Sequence, residues 1–127
     1  MEKMITSISF SIPVITLLDS WRVRYKRYRY ALNGSISRHS LDNFGKLEDE
    51  IVKLIHKFGM GVPLTKKEVF DDVTNLFVYI ETVFTDAASE LADFSNLYCD
   101  IKDVLIELKT EQKFYLSAIE NGFYSFS

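Results

Sequence analysis

Apolar side chains recur every three or four residues along most of this 127-residue chain, and only five glycines and two prolines interrupt them. The clearest run is Val69, Phe70, Val73, Leu76, Phe77, Ile80, Val83 and Phe84. At 3.6 residues per turn these positions form one wide apolar side of a helix, the pattern of an element at the centre of a bundle. Thr65 and Glu68 make a capping box ahead of the run, so the spacing predicts a helix from Thr65 to about Phe84.

Other segments sort in the same way. The run Val14, Leu17, Leu18, Trp21, Tyr25, Tyr28 and Leu32 falls on one stripe. Ser9 or Ser11 can cap it, Pro13 suits a first turn, and Asn33-Gly34 can end it in the left-handed conformation, which predicts a helix over 13–32. Residues 35–40 read as a polar loop. Ser40 is placed to cap a second helix over about 41–58, with Phe44, Leu47, Ile51, Leu54, Ile55 and Phe58 inward and Gly59 and Gly61 at its end. Val62-Pro63-Leu64 reads as a connector. A fourth stripe runs from Leu91 through Phe94, Leu97, Tyr98, Ile101, Val104, Leu105, Leu108, Tyr115, Leu116 and Ile119, and Asn121-Gly122 ends it. Thr85-Asp86 reads as a cap or a kink ahead of this stripe. An unbroken helix here would reach ~50 Å at 1.5 Å per residue, which predicts a break near Thr110.

Residues 6–12 alternate polar and apolar with period two, which predicts a short strand within an extended arm at 4–12. Its candidate partners are residues 123–126 or a strand of another chain. The expected fold is therefore all-α: one domain over 1–127, a four- or five-helix bundle, with a short terminal strand or two-stranded ribbon.

Net charge is −3, but it is divided: residues 1–58 carry +4 and residues 59–127 carry −7. Cys99 is the single cysteine, so no internal disulfide forms, in keeping with a reducing cytoplasm, the expected location. The longest uncharged run, Met4 to Leu18, is shorter than the ~20 residues that span a bilayer, and no signal-peptide pattern accompanies it.

The positive half concentrates in Trp21–Tyr30, W-R-V-R-Y-K-R-Y-R-Y, where Arg22, Arg24, Lys26, Arg27 and Arg29 alternate with aromatics. On a helix Trp21, Tyr25 and Tyr28 turn inward, leaving the cations as a solvated face or a phosphate-binding surface with Tyr30 free to stack on a base. Five contacts to a single strand would give a log–log salt slope of about −3.5. The negative half concentrates in Asp93, Asp100, Asp103, Glu107 and Glu111, which fall within an arc of about 80° on the fourth helix, apart from Lys102, Lys109 and Lys113. A solvated helix ordinarily mixes its signs. This segregation suits a solvated acidic face or contact with a basic partner.

Little points to catalysis. Glu68, Asp71 and Asp72 share a turn without a calcium-loop pattern, and Asp71 and Asp72 also suit the positive end of a helix. His39 and His56 have no ligand or nucleophile at a useful spacing. Asp100 beside Cys99 disfavours its thiolate, and Gly59-x-Gly61 follows a helix rather than a strand. The reading is of a protein that is not an enzyme and takes no metal or cofactor. It is expected to bind a basic protein through the acidic face, in the manner of an inhibitor, antitoxin or immunity protein facing a toxic nuclease. Nucleic-acid binding through the basic helix, and a homodimer or larger homo-oligomer joined by opposed charges or the terminal strand, are the alternatives.

Overall fold

The computed structural model describes residues 4–5, 7–60 and 64–121, with side chains at 16, 18–60 and 64–117. In chain order these form β1 (Met4–Ile5), α1 (Ser7–Leu32), α2 (Arg38–Gly59), β2 (Leu64–Thr65), α3 (Lys66–Ser89) and α4 (Asn96–Asn121). The fold is the expected all-α four-helix bundle. Short connections turn each helix back on its predecessor. α1 packs chiefly on α2 and α3 chiefly on α4, while α2 and α3 join the two pairs.

Local chemistry accounts for the helix ends. Leu32 closes α1, and Gly34 at φ +89° turns the chain where a side chain would be strained. The Ser37 hydroxyl accepts from the Ser40 N–H at 3.2 Å, so α2 is capped three residues earlier than Ser40. Thr65 caps α3 as its capping box predicts, accepting from the Glu68 N–H at 3.0 Å. The Ser95 hydroxyl accepts from the Tyr98 N–H at 3.0 Å and starts α4.

Other expectations fail at the chain start and around α4. Residues 7–12 of the period-two segment are helix rather than strand: α1 begins at Ser7, so Ser9 and Ser11 lie within it and Pro13 falls in its second turn. A helix satisfies its own backbone groups, whereas seven residues of strand need a partner along their whole length. The pairing that does form is shorter, with Met4 opposite Thr65 and Ile5 opposite Leu64, antiparallel, in the segment read as a connector. The other proposed partner, 123–126, lies outside the described residues. α3 passes through Thr85-Asp86 and runs to Ser89. α4 continues through Thr110, whose hydroxyl bonds back to the Ile106 carbonyl at 3.4 Å, and its 26 residues extend about 39 Å. The length constraint is met instead by a turn over 90–95.

The core centres on Phe84 of α3, which is 0% exposed. Its ring centroid lies 5.1 Å from Tyr25, 5.8 Å from Tyr28 and 5.1 Å from Phe44, contacts that join α1 and α2 to α3. Trp21 extends the cluster at 4.9 Å from Tyr25. Such tilted and edge-on pairs add to the burial of the rings themselves. Leu47, Ile51, Val69, Ile80, Ile101 and Leu108 belong to the same buried core, which continues along the bundle. Val14, Leu17 and Ile119 lie outside the described side chains. Replacing Phe84 with Ala should lower unfolding free energy by about 3–5 kcal/mol. In urea this would be read as a lower midpoint at an unchanged slope.

Candidate interaction surfaces

The bundle sets α1 and α4 side by side, so the basic and acidic stretches meet within one molecule. Arg24 of α1 donates to Glu107 of α4 at 2.9 Å, and its guanidinium lies 4.8 Å from the centre of the Trp21 ring. Trp21 in turn hydrogen-bonds Glu111, whose carboxyl is half-buried. Two members of the predicted acidic face therefore serve the α1–α4 seam. Burial pushes the Glu111 pKa up and the Glu107 charge adds to that, while Arg24 and the Trp21 bond oppose it. Beside it, the Tyr25 hydroxyl is buried with no partner among the described residues, and burial, then the Glu111 charge, drive its pKa upward.

The remaining cations of α1 are divided. Arg22 pairs with Asp19 at 2.7 Å, and Arg29 stands 3.8 Å from Glu48 of α2. Lys26 and Arg27 are exposed, and no ion pair among the described residues involves them. Tyr30 is 74% exposed, as a stacking role requires, while Trp21 and Tyr25 are buried and Tyr28 is half-buried against the core.

The acidic residues divide too. Asp100 and Asp103 are exposed on the first turns of α4, and Asp93 lies not on that helix but in the turn before it. The same turn holds a residue whose environment sequence periodicity misreads. Phe94 was expected in the buried stripe. Its backbone has φ +69° and its side chain is 94% exposed. A bulky residue in the left-handed region is an outlier that costs of order 1–3 kcal/mol. The signal in the sequence was weak but present: Phe94 stands alone in Ala92-Asp93-Phe94-Ser95-Asn96, where the neighbouring residues suit a turn and Ser95 a cap.

A carboxylate fastens this turn to the start of α2. Glu90 accepts from the Ser37 N–H at 2.7 Å and from the buried Ser40 hydroxyl. These bonds, with the Ser40 hydroxyl first, hold the Glu90 pKa below its ordinary value. The loop after α1 and the turn after α3 thus lie together at one end of the bundle.

At the opposite end, the acidic group Glu68, Asp71 and Asp72 is claimed by a lysine. The Lys57 ammonium of α2 stands 3.0 Å from Glu68 and 2.7 Å from Asp72, bonds that raise its pKa, while Asp71 is exposed. The ammonium occupies the position a cation would take, and no cluster of potential metal ligands occurs among the described residues. His39, His56 and Cys99 are exposed and far apart along the chain. Among the described residues no helix is long and apolar enough to cross a membrane.

No protein-family model, no curated protein and no solved structure matches this chain.

Two outcomes follow from the buried and tied carboxylates. Glu90, with its depressed folded pKa, contributes stability above the unfolded value of about 4.3 and loses it as pH falls through the folded value. Glu90→Gln should therefore be less stable than the parent at neutral pH, and the gap should close in acid, as followed by urea unfolding across pH. Glu111 has the opposite sign. Its raised folded pKa means that ionisation opposes folding once the pH passes that value, so Glu111→Gln should gain stability at neutral pH and lose that advantage in acid.

Proposed function

We propose that this chain is a small non-catalytic module that binds a basic protein through the α3–α4 turn and the first turns of α4. In biological terms it is an inhibitor of the immunity or antitoxin type, acting in the cytoplasm on a partner such as a toxic nuclease. Phe94 carries the proposal. Its left-handed backbone costs the fold free energy, and its ring, exposed to water, returns none. Removing that ring from water in a partner's pocket would recover roughly 2–3 kcal/mol, the contribution of an aromatic anchor at an interface.

The charge around it supports the same surface. Asp93, Asp100 and Asp103 are exposed, and no ion pair among the described residues involves them. Carboxylates around an apolar anchor speed encounter with a positive surface and orient it, and they disfavour acidic competitors. On a nuclease the positive groups that hold phosphates would be the ones covered. Glu107 and Glu111 are members of the original acidic face whose role here is the seam with α1.

The test is retention of a partner from the source cells by three immobilised proteins: the parent chain, Phe94→Ala, and Asp93→Lys/Asp100→Lys/Asp103→Lys. The expected result is a stoichiometric basic protein that survives nuclease treatment on the parent and is lost from both variants. Because all four side chains are exposed, the variants should keep the parent's unfolding midpoint. Retention of the same partners by all three proteins would sink the reading.

A further inference from the structure

The basic–aromatic segment is left over by that function, and it borders a groove at the junction of α1 and α2. Lys26, Arg29, Tyr30, Asn33 and Leu41 line this groove of about 290 Å³. The first four share one side of α1 and its exit, because they are spaced at three, four and seven residues. Tyr30 presents most of its ring to water. Lys26 is an exposed cation with no ion pair among the described residues. Arg29 lies against α2 at Gly45, where an added Cβ would stand 3.5 Å from the guanidinium carbon. At 3.8 Å from Glu48 its ion pair is longer than a direct hydrogen bond, and with 44% of the side chain exposed the guanidinium can also face a second anion. Asn33 adds an amide that both donates and accepts, and Leu41 adds an apolar side chain.

We propose that this groove binds one nucleotide unit. The base stacks on Tyr30, the phosphate lies between Lys26 and Arg29, and the Asn33 amide meets the base edge or a sugar hydroxyl. The volume lies at the lower end of ligand sites, which run from roughly 300 to 1,000 Å³, so the groove suits one unit rather than a longer track. Pairing elsewhere on α1 sets the same limit. Arg22 is held by Asp19 and Arg24 by Glu107, and the carboxylates of α4 follow on the far side of Arg24. The one phosphate neutralised between Lys26 and Arg29 would give a single strand a log–log salt slope of about −0.7, not the −3.5 of five contacts. A free nucleotide and one residue of a single strand present the same ring and phosphate. This site shares no residue with the surface around Phe94 and stands or falls separately.

The experiment follows backbone amide shifts of the full chain during titration with adenosine 5′-monophosphate, adenosine, inorganic phosphate and a short oligodeoxyadenylate. The expected result is saturable movement of amides over 26–41, with adenosine and phosphate each weaker than the monophosphate by about tenfold or more. Tyr30→Ala should weaken binding roughly 5- to 160-fold, the range of a lost base–aromatic stack, while Tyr30→Phe should retain it. Lys26→Ala should weaken it several-fold. Saturation by the monophosphate assigns the site to free nucleotide. Saturation by the oligonucleotide alone, with a slope of about −0.7, assigns it to single strands. No saturable movement at 26–41 with either, or binding unchanged in both Tyr30→Ala and Lys26→Ala, overturns the proposal.

Discussion

Phe84 packs against rings from two other helices, and the arrangement of the bundle depends on that packing. Tyr25 and Tyr28 reach it from α1 and Phe44 from α2, so the aromatic contacts fix how these helices meet α3. Close-packed rings accept few alternative arrangements, because a small displacement at one face opens a void at another. Once α1 is held by Tyr25 and Tyr28, Trp21 and Arg24 are carried to the α4 seam. Lys26 and Tyr30 are left on the outside. The division of the basic segment into structural and available groups is thus a consequence of aromatic packing.

That division changes the meaning of the charge pattern. Along the chain, positive and negative halves look like two independent surfaces. In the bundle they adjoin, and part of each is used against the other. Arg24 and Glu107 are both more than one-third exposed, so their ion pair contributes modestly to stability, and its larger effect is on what remains outside. Two exposed cations without an ion pair, Lys26 and Arg27, precede Tyr30 on α1, and three such carboxylates lie in the turn that holds Phe94 and on the first turns of α4. Each remainder carries a large exposed aromatic, Tyr30 beside the cations and Phe94 in the turn ahead of the carboxylates.

Much of the fold was legible in the sequence, and its failures have local causes. The wide stripe of α3, its capping box and the glycine exit of α1 each depend on neighbours three or four residues away, so spacing alone reveals them. The segment 6–12 misled because seven residues of alternation state a preference without supplying a partner strand. Phe94 misled because it lies in phase with Leu91, Tyr98 and Ile101, and periodicity does not show where a chain leaves the helix. The better signal was Ser95, three residues ahead of Tyr98. Residues that act across the fold left no trace in spacing. Glu90 finds Ser37 and Ser40 half the chain away, and Lys57 finds Asp72 across a loop.

The Glu90 contact also gives the molecule a front and a back. By joining the loop after α1 to the turn after α3, it gathers Tyr30 and Phe94 toward one pole, and Lys57 with the small β pair closes the other. Met60 is exposed at that far end, so a label attached there would stand a full length of α2, about 33 Å, from the pole that carries Tyr30 and Phe94.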